Sequence, residues 1–136
     1  MNRVLIAVGL AFLAAVAAAY LSRRNRNAPA ESTTWSVPAQ LERRDFVRPD
    51  APWLVALFSS ATCEVCAAVW ERAQVVDGSE VAVQNLEAKA DKRLHERYRI
   101  DAVPLLVIAD ADGVVRKHFL GPVTAADLWG ALAELR

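Results

Sequence analysis

Cysteine is nearly absent from this chain: its 136 residues include two, at positions 63 and 66. No disulfide framework can staple the fold, and a bridge between residues three apart closes too short a loop to restrain the unfolded chain much. Net charge is lacking too, since 16 basic and 16 acidic residues cancel. The cancellation hides a division. Residues 1–26 hold Arg3, Arg23, Arg24 and Arg26 and no acid, which leaves 12 basic groups against 16 acidic ones, a net of −4, in the other 110 residues. A mildly acidic domain has no electrostatic footprint for nucleic acid. There is no internal repeat and, apart from an alanine-rich stretch near the start, no low-complexity tract. What is present, 54% hydrophobic and 24% charged residues, suffices for one packed core plus a short appendage and excludes a disordered chain.

The appendage is the first feature with a function. Residues 4–21, VLIAVGLAFLAAVAAAYL, form an unbroken apolar run of 18 positions. At a helical rise of about 1.5 Å per residue it spans about 27 Å, enough for a hydrocarbon core. A buried globular helix would show a polar face, and this run has none. We read residues 1–22 as a transmembrane signal-anchor, 23–33 as a polar linker containing Pro29, and 34–136 as the folded domain. The competing reading is a cleaved signal peptide, because Ala17-Ala18-Ala19 resembles a small-residue cleavage site. Against it stand a minimal basic region before the run and the arginines just after it. Arg23, Arg24 and Arg26 outweigh Arg3 and the α-amino group, so the positive-inside rule leans to a single-pass protein of the cell membrane with its domain in the cytoplasm.

Within the domain, residues 33–37 read as a short strand, Pro38 as a first helical residue, and 40–46 as a turn or short helix. Residues 53–58, WLVALF, are continuously apolar and of strand length, the pattern of a central strand covered on both faces. Ser59, Ser60 and Thr62 offer helix N-caps. Residues 63–76 have helical spacing, with Val65, Val69, Ala73 and Val76 on one side, and Asp77-Gly78 ends them. A strand is predicted at 81–86, an amphipathic helix at 88–98 and a third strand at 104–109. Asp112-Gly113 signals a hairpin to a return strand at 114–120. Thr124 and Asp127 open a last helix that turns Leu128, Leu132 and Leu135 inward. Strand, helix, strand, helix, strand, hairpin strand, helix is a three-layer α/β design with a mixed sheet.

Cys63-Glu64-Val65-Cys66 follows the central strand and opens a helix. Unpaired backbone N–H groups and the helix dipole favour negative charge there, so Cys63 is favoured as thiolate, the nucleophilic form. Cys66, one turn deeper, can attack a mixed disulfide and release product. An inert buried pair and a metal site are the alternatives. Only His95 and His118 could complete a four-ligand site, and their spacings match no zinc-finger pattern. They read as ordinary surface or strand residues, and no metal or cofactor is expected. Trp53, Trp70 and Trp129 read as core or surface-groove residues.

These stretches together resemble the thioredoxin family over about residues 52–135: WLVALF, then SSATCEVC, then RYRIDAVPLLVIADADGVV, then FLGPVT and the final helix. The resemblance implies a thioredoxin-like fold and thiol–disulfide exchange on protein substrates, with electrons from a reductase or a low-molecular-weight thiol. It implies that Val103 presents its backbone to an extended substrate, that Pro104 is cis and faces the cysteines, and that Gly121 keeps the substrate surface flat. Five positions depart from the family. The Gly-Pro between the cysteines is Glu64-Val65, the preceding tryptophan is Thr62, the helix-kinking proline is Glu71, and the buried proton-relaying acid is Leu57. Glu64 sets a negative charge beside the thiolate, against the helix dipole. These departures imply a redox poise unlike that of a housekeeping thioredoxin. They keep open a second class of function, a non-catalytic thioredoxin-like scaffold at the membrane.

Overall fold

The apolar run at 53–58 becomes the central strand β1 (Trp53–Ser59), every residue of which after Trp53 is buried. The computed structural model describes residues 13–17 and 35–136. The chain divides into two units, Met1–Thr34 and Trp35–Arg136. In the first, residues 13–17 are helical with exposed side chains. The remainder of the predicted span at 4–21 and the linker at 23–33 lie outside the described residues. Among those described, no helix is long and apolar enough to cross a membrane.

In the second unit, β1 is followed by helix α1 (Glu64–Ala73), β2 (Val81–Glu87), α2 (Lys92–Arg97), β3 (Leu105–Ala109), β4 (Val115–Leu120) and α3 (Ala125–Leu135). The sheet order is β2-β1-β3-β4. β2 runs parallel to β1, while β3 and β4 are antiparallel to their neighbours. The sheet is mixed, as expected. The alternation of side chains along β1 divides the core in two. Leu54, Ala56 and Phe58 pack with Leu86, Leu94 and Leu105 on one face. Val55 and Leu57 pack with Val69, Leu106 and Leu128 on the other. Each of these valine, leucine and phenylalanine side chains, fully buried, contributes about 1.5–3 kcal/mol.

Several local expectations change on folding. The predicted strand at 33–37 is irregular over its described residues 35–37, and Gln40 contributes only an isolated bridge to Val114. Pro38 begins no helix; the following segment makes one 3-10 turn, Arg43–Asp45. The helix expected over 88–98 is shorter, because Glu87 captures the N–H groups of Lys89 and Ala90 and holds that stretch in a turn. Thr124 caps α3 as expected, accepting the Asp127 N–H and donating to its carboxylate. Leu128 and Leu132 are buried, with Leu135 packed against them.

The β3–β4 turn is organised by Asp110. Its carboxylate accepts N–H bonds from Asp112 and Val114, both at 3.0 Å, and from the Arg116 guanidinium at 2.7 Å. Burial pushes that carboxyl up, but the Arg116 and backbone bonds together outweigh it and hold it below the usual range. Gly113 completes the turn with φ of 80°. Its carbonyl accepts the Leu41 N–H at 2.8 Å, and a Cβ added at Gly113 would strike the Leu41 carbonyl. Gly113→Ala therefore combines a left-handed backbone with a backbone collision. A loss of about 2–3 kcal/mol is expected, lowering the thermal midpoint by roughly 10 °C or more. A shift within a degree or two in calorimetry would show that the turn relaxes freely.

Candidate functional site

β1 ends at Ser59, and Ser60-Ala61-Thr62 carry the chain over the top of the sheet to Cys63. The expected hydroxyl caps are not used: Cys63 itself is the N-cap of α1, its sulfur accepting the Cys66 N–H at 3.2 Å. The hydroxyls bond elsewhere. Ser60 Oγ meets Thr62 Oγ1, and Ser59 Oγ donates to Asn85 Oδ1 at 2.6 Å. A sulfur that already holds a first-turn N–H is placed to gain from the helix N-terminus when it becomes a thiolate. Glu64, also in that first turn, sets its negative charge beside it.

Cys63 and Cys66 are joined in a disulfide with a Cα–Cα distance of 5.4 Å. Their exposures differ: Cys63 is half-exposed and Cys66 retains 3% of its surface. Val65 projects outward between them, against the expectation that it shares the inner face of α1 with Val69 and Ala73.

Sheet register sets what flanks the pair. Phe58 pairs with Leu105, so Pro104 stands next in register beside Ser59 on the β3 side. The Val103–Pro104 peptide is cis. Pro104 is buried, its carbonyl accepting the Gly121 N–H at 2.8 Å. Gly121 has φ of 89°, and a Cβ there would meet nothing within 4 Å, so this glycine answers to backbone conformation and leaves open space above it. The residues singled out as a substrate surface, Val103, Pro104 and Gly121, thus come together.

On the β2 side, Ser59 pairs with Glu87. Between this strand end and α1 lies a pocket of about 250 Å³ lined by, among others, both cysteines, Ser59, Trp70, Asn85 and Glu87. Sequence reading found the cysteines and left Trp70 as either a core or a surface-groove residue; it saw Ser59 only as a candidate helix cap and missed Asn85 and Glu87. The period of two along VAVQNLE puts Asn85 and Glu87 on one face, and only the parallel register brings that face to Ser59.

Glu87 also clamps the approach to Cys63. Its carboxylate accepts the Ala61 N–H at 3.1 Å, the Lys89 N–H at 2.9 Å and the Ala90 N–H at 3.0 Å. The bonds from Ala90 and Ala61 foremost hold its pKa below the usual carboxylate range, against a smaller opposing effect of burial. A depressed folded-state pKa means a contribution present above the unfolded carboxylate pKa and lost as pH falls through the folded one. Protection of the Ala61, Lys89 and Ala90 amides in hydrogen exchange should therefore drop on acidification through that range. Glu87→Gln should show weaker protection with no such pH step. Equal pH profiles in the two proteins would remove the clamp.

The remaining candidates fall away from the pair. His118 is exposed on β4. His95, read as a surface or strand residue, is instead buried on α2, its Nε2 2.8 Å from the Leu86 carbonyl and its ring edge-on to Phe58. Packing of α2 against β2 makes it a core histidine. Among the described residues, no three His, Cys, Asp or Glu side chains gather as a metal site. Trp53 is half-buried against the α1 face of the sheet, and Trp129 stands half-exposed on α3.

A βαβ unit joined to an antiparallel hairpin and a final helix, with a CxxC-spaced disulfide where the central strand enters its helix, is a thioredoxin-like fold. No family model and no curated protein matches the chain. Solved structures do. The germline-specific thioredoxin Deadhead (Thioredoxin-1) of Drosophila melanogaster is similar with a TM-score of 0.56 at 20% identity, covering 65% of this chain and 85% of that one. StoA of Bacillus subtilis is similar with a TM-score of 0.50 at 16% identity, covering 61% and 84%. A malarial protein gives 0.53 at 13% identity, covering 61% and 96%.

Proposed function

We propose that this chain is a membrane-anchored thiol–disulfide oxidoreductase acting on protein thiols and disulfides. Cys63 is its attacking sulfur, Cys66 its resolving sulfur, and Val103, Pro104 and Gly121 form its substrate surface. The observation that carries the reading is the asymmetry of the pair: Cys63 is only partly buried at a helix N-terminus, while Cys66, one turn deeper, is 3% exposed. In the reducing direction, the Cys63 thiolate attacks a client disulfide. One client sulfur leaves and takes up a proton, and a mixed disulfide forms. Cys66 then loses its proton and attacks Cys63, which frees the second client sulfur and oxidises the pair. A reductase or a low-molecular-weight thiol returns the two electrons.

The anchor rests on the 18-residue apolar run at 4–21 and on the arginines after it, which favour a cytoplasmic domain. A membrane-impermeant thiol reagent applied to intact cells should leave Cys63 unlabelled until lysis. Labelling without lysis would put the domain outside, and a soluble extracellular form lacking residues 1–19 would make the run a signal peptide.

Leu57, apolar where the resembling family carries its acid, favours the second reading, a scaffold that keeps the groove without useful exchange. A reduction-potential titration of the full chain in detergent, with thiol trapping, separates the two. The oxidoreductase reading expects the pair to equilibrate reversibly with a dithiol buffer. A disulfide that never opens without denaturant points to the scaffold.

A further inference from the structure

Ser59, the strand end that leads into the disulfide, is flanked on two sides. On the β3 side stand the cis Val103–Pro104 bond and Gly121. On the β2 side the 250 Å³ pocket is lined by both cysteines and includes none of those three residues. The pocket is small and open to solvent, and a molecule on the scale of an amino acid fits it. Among the described residues that line it, Glu87 carries the only charge. That carboxylate has three N–H partners and about four acceptor positions, so one remains to receive a donor. Lys89 helps keep it ionised, yet neither residue takes part in the ion pairs found among the described residues. Asn85 Oδ1 is taken by Ser59, which leaves the Asn85 amide N–H groups as donors at the rim.

We propose that this pocket binds a low-molecular-weight thiol bearing an ammonium group, and that such a thiol reduces the Cys63–Cys66 disulfide from the β2 side. The proposal rests on the oxidoreductase reading and names its electron donor. Glu87 receives the ammonium, and the thiol then lies against the half-exposed sulfur. Its thiolate attacks Cys63 Sγ and the S–S bond breaks. Cys66 leaves as thiolate and takes up the proton the small thiol released. A second thiol molecule attacks the sulfur of the first, which gives the small disulfide and frees Cys63. Two thiols are oxidised to one disulfide, and two electrons and two protons reach the protein. Because the β3-side surface stays clear, recharging need not compete with a bound client for the same contacts.

The test compares three probes, cysteamine, 2-mercaptoethanol and 3-mercaptopropionate, as reductants of the oxidised full chain in detergent. Each rate is divided by its thiolate concentration and by its rate with a small reference disulfide, which removes intrinsic reactivity. We expect normalised cysteamine to exceed normalised 3-mercaptopropionate by roughly three- to tenfold, at low ionic strength where a half-exposed carboxylate is least screened. Added salt should shrink the excess. Glu87→Gln should abolish it. Ala67→Leu, a pocket-wall substitution that keeps helix propensity in α1, should lower the cysteamine rate by filling the space. Equal normalised rates in the unmodified chain would overturn the proposal, as would an excess that survives both substitutions. Dithiothreitol reduction of the same unmodified protein, followed by exchange with a disulfide-linked peptide, reports on the oxidoreductase reading separately. A protein that passes this assay without charge preference has lost only the pocket.

Discussion

Replacing Cys63 with serine is expected to lower thiol–disulfide exchange by at least about a thousandfold, while replacing Cys66 should leave the first half-reaction intact and accumulate mixed disulfides with clients. The asymmetry follows from position. Cys63 caps α1, holds the Cys66 N–H and is half-exposed, so it has both the stabilised thiolate and the access that attack requires. Cys66 keeps 3% of its surface, which leaves outside reagents little access to it. Its task is an intramolecular attack, which three-residue spacing makes fast and which no bimolecular thiol easily replaces. Alkylation of the reduced protein, followed by peptide mapping, should modify Cys63 well before Cys66. If Cys66 reacts first, or if the Cys66→Ser protein traps nothing, the roles are reversed or absent. Serine is close in size to cysteine, so both variants should fold, and circular dichroism of each separates lost chemistry from lost structure.

Restoring an acid where the resembling family has one should be severely destabilising here. Leu57 is fully buried among Val55, Val69, Leu106 and Ile108, beneath α1. Leu57→Asp removes apolar volume from a packed site, a change that alone costs about 2–5 kcal/mol, and adds a carboxyl without an evident partner, for a further 1–3 kcal/mol. A total near 5 kcal/mol is a large part of the 5–15 kcal/mol by which domains are stable. The pH dependence has a definite sign. Desolvation raises the new carboxyl's pKa in the folded state above its unfolded value, so the folded state binds more protons between the two. The penalty should therefore be greatest at neutral pH and shrink as pH falls through the folded-state pKa. Urea unfolding of the parent and variant at pH 5 and pH 8 measures both quantities. A loss below about 1 kcal/mol at pH 8, or a penalty that grows toward acid, would mean the site around Leu57 admits water after all.

Much of this was legible along the chain because it depends on neighbours in sequence. An apolar run of strand length, a CxxC at the start of a helical period, an Asp-Gly turn and a Thr-x-x-Asp cap are each local patterns, and local patterns survive translation into structure wherever the backbone bonds they need lie a few residues apart. The order of elements and the mixed sheet followed from them. What failed did so for tertiary reasons. His95 is buried because α2 packs on the β2 face, and nothing in its own neighbourhood announces that contact. Arg43 lies at 6% exposure with its guanidinium bonded to the Arg48 and Ala51 carbonyls, a burial that the turn or short helix expected over 40–46 does not announce. The predicted helix at 88–98 lost its first turn to Glu87, whose carboxylate competes with the helix for the same N–H groups.

The site divides the same way. Cys63 and Cys66 are three residues apart, so sequence alone determined that they meet at a helix N-terminus. Pro104 lies 41 residues beyond Cys63 and Glu87 lies 24 beyond it, so only strand pairing decided that both flank Ser59. Register is what converts distance along the chain into proximity in space. A shift of one residue in the parallel pairing of β1 and β2 would turn Asn85 and Glu87 to the opposite face and leave the sulfurs without their pocket. That register is held by side chains buried on both faces of β1, from Leu54 to Phe58, and the free energy that holds it belongs to the assembled core rather than to any segment of the sequence.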